Sequence, residues 1–595
     1  MRLSRIARGK ALSLVLDRVI TYSREAVRLL LSAPSLTLII RCTSTGRKCD
    51  GYVVPETKSK EVGERRQKRS SLPHDDATHL PAPSLQLALY AASPNERRVL
   101  DFFFHQTAPS LSGFFCQSFW NGSLPRLNLA EPAIRYATIA LTSMHMDEVL
   151  PASVEIHRFG MEYYNKAIHS LLEKSKVDPD ATAIFSMACI LFICLEFLRG
   201  HIDEALLHID SGVKMLKSWR DKHGYPKAPL GQGYSSFEAD LIETELAPIF
   251  SWLTIILAIF GRPSQAIFLN PVDLEGNSLQ QQPSPRNVGE ARAGLVDIVN
   301  QGMKYSESIE AGKYQREAQA KDTAKRDRLA QMLAQWNHGF ETLVASQWPH
   351  WSKAERRAAN LMRTIFLTAS IWNDVCLSPN ETAWDKHKEK FEQIITLSEV
   401  IVKDTIEHES GLSLRFSFEF GIIPPLHLAV WKCRYPLLRR RALTLLLNYP
   451  RREGVFDNLQ FYAVFGHIIE FEEAALGLKP GQIPDDNVLP PEHARLHHFR
   501  VMPSTGADKM RSVIFNYKPD GLFGPWVQHV ENVDMGDTFL TCRSMTFYKP
   551  APDSEVTEGG VSSTASNSSW DVDLEIRSQR TGERYDVAFD GGIEV

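Results

Sequence analysis

From Asn95 to about Leu476, apolar residues recur every three or four positions over stretches long enough for helices. The clearest case starts at Asp180. An unbroken apolar run reaches Leu198, Gly200 follows as a C-terminal stop, and a second stripe carries Leu206, Ile209, Val213 and Leu216. This spacing predicts an αα-hairpin. Leu329, Met332, Leu333, Trp336, Phe340 and Leu343 form another stripe, and Leu361, Ile365, Ala369 and Trp372 a third; their aromatics read as core residues. Near the end the period changes to two. Leu496 to Val501 and Ser512 to Tyr517 alternate around a Ser-Thr-Gly turn, which predicts a small hairpin. The fold class expected is mainly α: a large helical domain of αα-hairpins with a small C-terminal β-hairpin and disordered termini.

Polar stretches mark the boundaries. Residues 53–94 read as a disordered basic linker, with Lys58, Lys60, Arg65, Arg66, Lys68 and Arg69 as a basic run. That run suits either a nuclear-localisation or phosphate-contacting patch or a solvated tether. Between Glu275 and Lys325 the polar composition predicts an exposed insertion followed by a solvated helix. The paired prolines between Gly421 and Leu426 are expected to interrupt a helix and turn the chain. Residues 551–595 are rich in Ser, Gly and acid and read as a disordered acidic tail.

Composition narrows the function. The chain has 595 residues, 43% of them hydrophobic, enough for a large core. Its net charge of −4 means that any affinity for nucleic acid must come from a local basic patch. The eight cysteines show no disulfide-framework spacing, which fits a reducing compartment. The longest apolar runs, Ala183 to Leu198 and Pro248 to Phe260, fall short of the ~20 residues that cross a bilayer. They are read as buried helices, and no membrane partner is expected.

The segment from Cys42 through Cys49 to Tyr52 carries the strongest family signal. Its Cys-x6-Cys spacing resembles the close of the fungal binuclear zinc-cluster (Zn2Cys6) DNA-binding domain, in which a Cys-x2-Cys-x6-Cys run is followed by a basic linker. Cys42 and Cys49 match its last two cysteines. Ile39 stands where that run should begin, and no Cys-x2-Cys-x6-Cys precedes it in the sequence. Tetrahedral structural zinc needs four ligands, so residues 42–52 read as a remnant that does not bind the metal as written. Residues 1–41 are Arg-rich and acid-poor, a composition shared with transit peptides. A misassigned start or a retained intron is preferred for them, because the family-like signal begins abruptly at Arg41.

Segments downstream are similar to the fungal-specific transcription-factor regulatory domain that accompanies these clusters. They are Phe102 to Phe115 with Phe119-Trp120, Glu131 to Leu141, Tyr164 to Ile168 leading to Leu191–Gly200, Gly421 to Leu426, Cys433 to Leu443, and Pro450 to Gly454 with Asp457. Their order covers about residues 96–520, within a regulatory domain placed at 95–550. The resemblance implies an all-α regulatory body linked to effector response or dimerisation. It further implies a nuclear RNA polymerase II transcription regulator with zinc as the family's cofactor, DNA as partner if the complete module exists, and a homodimer and coactivators as further partners. The base-reading residues would lie in the missing half, so none is nominated.

Enzymatic chemistry finds no support. Phosphate-binding glycine loops and a Gly-x-Ser-x-Gly elbow are absent from the sequence. His201 and His208 are read as residues of a surface helix, and His497 and His498, adjacent in a strand, are expected on opposite faces. Arg434, Arg439, Arg440, Arg441, Arg451 and Arg452 form either a positive surface or, preferably, ion pairs with acidic helices. Asn121, Asn380 and Asn567 head glycosylation sequons that a reducing compartment leaves unused. In the tail, Trp570 to Ile576 alternates bulky apolar with acidic residues, the pattern of an activation segment or of an edge strand. The rival reading of the whole chain is a helical scaffold or cofactor that does not bind DNA and acts through protein partners; the absence of a fixed repeat period counts against an array.

Overall fold

The computed structural model describes residues 93–535, except 114, 151–153, 225–235, 263–265, 270–283, 311, 409–415, 450–451, 479–481 and 503–509, together with residues 545–546. The zinc-cluster remnant, the basic linker, the acidic tail and the Ser-Thr-Gly turn all lie outside the described residues.

The principal helices are α1 (Pro94–Phe102), α2 (Pro132–Val149), α3 (Val154–Val177), α4 (Thr182–Arg199), α5 (Ile202–His223), α6 (Ala247–Ile259) and α7 (Val288–Glu310). They continue as α8 (Ala320–Gln347), α9 (Lys353–Val375), α10 (Lys388–His408), α11 (Ile423–Lys432), α12 (Pro436–Asn448) and α13 (Asn458–Ala474). Local signals start and stop them. Ser93 accepts from Glu96 N and the Glu96 carboxylate accepts from Ser93 N, a capping box with Pro94 in the first turn. Ser352 and Glu355 do the same for α9.

The expected hairpin is present as α4 and α5. Gly200 takes a left-handed φ of 73°, and the N–H groups of Gly200 and His201 donate to Phe197 O and Glu196 O, closing α4. Helix α4 is buried on nearly every side between Ala183 and Leu198. Among the described residues two stretches, Thr182–Arg199 and Phe237–Ile259, are long and apolar enough to cross a membrane, yet 83% and 72% of their most apolar 18-residue windows are buried inside the protein. They are core helices, as the sequence predicts. Helix α2 packs on α3 and α4, α5 on α6, α6 on α7, and α9 on α10, around one large core. A smaller core joins α7, α8 and α9, where Trp336 stacks on Phe340 at 4.8 Å and its Nε1 donates to Ala291 O.

Helix α7 corrects the reading of 275–325 as exposed. Ala291, Leu295, Ile298, Tyr305 and Ile309 are buried. The polar composition misleads because polar residues also face inward: the Asp297 carboxylate accepts from Leu269 N at 2.9 Å, and Asn300 bonds to Ser251 and Thr254 of α6. The paired prolines are a second correction. They open α11 rather than interrupt a helix, in the first turn where a missing N–H costs nothing. The buried Glu453 carboxylate accepts from the N–H groups of Gly421, Ile422 and Ile423, capping that turn.

The expected hairpin strands are β3 (Leu496–Val501) and β4 (Met510–Tyr517), paired antiparallel. They belong to a four-stranded sheet, with β5 (Val527–Asp534) beside β4 and β6 (Met545–Thr546) beside β3. A two-stranded parallel pair, β1 (Phe416–Ser417) with β2 (Arg452–Glu453), lies in the core.

Candidate functional site

A narrow cleft, with room for about one water molecule, lies where β3 docks on the helices. The end of α7 supplies Ser306 and Glu310, and the turn after it Lys313; the end of α9 supplies Trp372 and Cys376. Glu381 and Trp384 come from the 3-10 helix Glu381–His387, Trp431 and Lys432 from the end of α11, and His497 and His498 from β3. Three helix C-termini therefore converge, and their partial negative charge favours the cations that gather there.

Lys432 is 2% exposed, and its ammonium donates to both Glu381 oxygens at 2.9 and 2.8 Å and to the carbonyls of His497 and Leu496. It also lies 4.1 Å from the centre of the Trp431 ring. Arg434 bridges Glu381 and Glu472 at 2.9 and 3.0 Å, and Arg439 takes the other Glu472 oxygen at 2.7 Å. Glu472 also accepts from Leu496 N, so the network holds β3 against α11 and α13. From below, the Glu492 carboxylate accepts from the N–H groups of Glu381 and Thr382 at 2.7 Å each.

Burial alone would raise the Glu381 carboxyl, but Lys432 and Arg434 outweigh it and hold the group far below the usual carboxylate range. Burial drives the Lys432 ammonium down to about 8 against the pull of Glu381. Burial, with the three cations Lys432, Lys313 and Arg434 nearby, lowers His497 to about 3, and His498 lies well below the ordinary histidine value, so both rings are neutral at pH 7. Burial lifts the Cys376 thiol to about 11, and its Sγ donates to Asn373 O, which leaves it a poor nucleophile.

The structure redistributes the sequence candidates. His497 and His498 do not face opposite ways. The register shifts between Leu496 and His498, a bulge that breaks the alternation, and both rings are buried against Trp526 and line the one cleft. His208 is not on a surface helix face: it is 4% exposed, with its ring 5.5 Å from Phe192, and His201 Nδ1 lies 3.0 Å from the buried Glu196. The arginines of the 434–452 segment form ion pairs, as preferred. Arg434 and Arg439 are wholly buried, Arg440 pairs with Glu473, Arg441 with Glu399, and Arg452 lies 3.8 Å from Glu148. Arg451, like Cys42 and Cys49, lies outside the described residues. Among the described residues no group of three His, Cys, Asp or Glu side chains could hold a metal ion. Sequence reasoning missed Glu381, Lys432 and Glu472. A usable signal was present: charged residues set inside apolar runs, Trp431-Lys432-Cys433-Arg434 and Phe471-Glu472.

Neither a protein-family model nor a solved structure matches the chain. The chain is similar to the aspercryptin biosynthesis cluster-specific transcription regulator atnN of Emericella nidulans, 22% identical over 550 residues that take in 76% of this chain and 87% of that protein.

Proposed function

We propose that the protein is a fungal transcription regulator, acting in the nucleus on RNA polymerase II promoters, whose helical body is its regulatory part. The observation that carries this reading is the extent of the similarity to the cluster-specific regulator, 87% of that protein's length, over a chain whose helical body fits the regulatory domain it resembles. The role in this reading is regulatory rather than catalytic, as the name of the similar protein suggests. Sequence-specific DNA contact would belong to a zinc cluster of which Cys42 and Cys49 are the last two thiolates; tetrahedral zinc needs four ligands per ion, so these two cannot close a site by themselves. Homodimerisation and coactivator contact belong to the same reading.

Chromatin immunoprecipitation of the tagged chain, paired with a reporter driven by residues 53–595 fused to a heterologous DNA-binding domain, tests it. Enrichment at discrete promoters and reporter output are expected. Exclusion from the nucleus together with a silent reporter would overturn the reading. The number of thiolates favours a second arm, in which the chain reaches promoters through a protein partner. Enrichment that survives Cys42→Ala with Cys49→Ala selects that arm.

A further inference from the structure

We infer that β5 is a docking edge for a second copy of this chain, which it meets by pairing antiparallel with its own counterpart. The four-stranded sheet runs β5-β4-β3-β6, so β5 closes one side of it. Its residues pair with β4 without a bulge, from Tyr517 opposite Val527 to Met510 opposite Asp534. In an antiparallel pair alternate residues turn their N–H and C=O groups away from the partner strand, here toward the open side. Among the described residues no other strand and no other backbone group takes up those of Val527 to Val533. Edges are commonly blunted by Pro, Lys or a bulge, and β5 has none of the three. Its inward carboxylate, Glu531, is already clasped by His467 and His529.

What fits the edge is set by its own side chains. Val527-Gln-His-Val-Glu-Asn-Val533 has the same chemical character read from either end, with Val530 at the centre. Two copies placed antiparallel about a twofold axis at Val530 set Val530 against Val530 of the second copy, His529 against its Glu531, Gln528 against its Asn532 and Val527 against its Val533. Each match is apolar with apolar, amide with amide or imidazole with carboxylate, and the unlike pairs are made twice, once on each side of the axis. The faces agree too, since residues opposite each other in paired strands share a face. Glu531 and His529 lie toward α13, where they meet His467 and Phe471, while Val530 lies on the other face in the rung of Ile514. Val530 is 56% exposed, and pairing would bury it in a rung that runs Ile514, Val530 and then the same two residues of the second copy in reverse. Moving the axis by one residue sets Glu531 or His529 against itself, so the pattern selects one alignment. A strand from another protein would use the same backbone groups but has no need of the palindrome.

The interface is argued without the regulator reading; only its use, holding two regulatory bodies together, rests on that reading. Sedimentation velocity of the full chain over a micromolar dilution series tests it. A reversible monomer–dimer equilibrium is expected. Val530→Lys and Val530→Glu each put like charges opposite at the axis, on an exposed position, and weaken the dimer by about tenfold or more, with far-UV circular dichroism and thermal melting unchanged. Mixing the two variants restores pairing, because the ammonium of one then meets the carboxylate of the other. The inference is overturned by a full chain that stays monomeric across the series, by a dimer that neither variant weakens, or by a mixture no better paired than either variant alone. Self-association with a silent reporter removes the regulator reading and leaves the interface; reporter output from a monomeric chain does the reverse.

Discussion

The Arg434 guanidinium meets the Glu472 carboxylate at 3.0 Å with neither side chain exposed to solvent. The same carboxylate accepts from Arg439 and from Leu496 N. One acidic group on α13 thus neutralises the segment after α11 and pins the first residue of β3. Glu472→Ala leaves two guanidinium groups short of a counter-ion and is expected to lose about 3–5 kcal/mol, the cost of breaking a buried pair. Urea unfolding measures it. Glu472→Gln, which keeps an acceptor, should lose less, and equal losses would mean that the charge is immaterial.

A second clasp ties the sheet to α13. His467 Nδ1 lies 2.7 Å from Glu531 Oε2, and His529 Nε2 lies 2.8 Å from Glu531 Oε1. Hydrogen bonding from His467, together with its charge, outweighs burial and lowers the Glu531 carboxyl below 4.5, while the bond to Glu531 raises His467 above 6.5. The lowered carboxyl stabilises the fold above its unfolded value, and that contribution is lost as pH falls through the folded value. The raised histidine stabilises below its unfolded value, and the contribution is lost as pH rises through the folded one. The stability difference between the wild type and Glu531→Gln should therefore peak between about pH 4.5 and 6.5 and shrink on both sides. Thermal melts across that range decide it; a flat difference argues against ionic character.

Five cysteines, Cys116, Cys189, Cys194, Cys376 and Cys433, are buried as free thiols. Burial raises all of them, Cys189 to about 12 and Cys433 to about 11. Thiolate is the reactive form, so brief iodoacetamide treatment at pH 7.5 should leave these five unmodified in the native chain and label them after unfolding. Mass spectrometry of the peptides reads the result. Native labelling of Cys116 would show that its bond to Glu419, at 2.8 Å, is readily opened.

Gly212 on α5 faces Phe250 of α6, and a Cβ there would run into the ring. Gly212→Ala should cost about 1–3 kcal/mol through overpacking. Gly466 in α13 has nothing within 4 Å of an added Cβ, so Gly466→Ala should be neutral or stabilising by up to about 1 kcal/mol. If both substitutions behave alike, the close approach of α5 and α6 does not determine their packing.

For the zinc question, elemental analysis of the purified chain should find no stoichiometric tight zinc, since Cys42 and Cys49 offer two thiolates where a closed site takes four ligands. Two zinc ions per chain would contradict that account.

Where a helix keeps its polar residues outside, the sequence declares it. The α4–α5 hairpin, the stripe from Leu329 to Leu343 and the two hairpin strands are all legible from period and stop signals. Helix α7 is not, because Asp297 and Asn300 turn inward to partners 28 and 46 residues away. Strand β5 is hidden for a related reason: its residues alternate between half-exposed positions, with Val533 the buried one, and give no apolar stripe.

The site divides the same way. That Arg434 and Arg439 would form ion pairs could be argued from the commonness of such pairs; that Glu381 and Glu472, 53 and 38 residues distant, would supply them could not. Nor could the bulge that turns His497 and His498 toward one cleft, since a register shift is a property of pairing with β4 and not of β3 alone. The sequence by itself determined the helical body, its hairpin and its family resemblance, because period, capping and residue order are local to the chain. Only the tertiary structure decided which charges are buried together and which rings wall the cleft, because those contacts join segments that sequence distance does not relate.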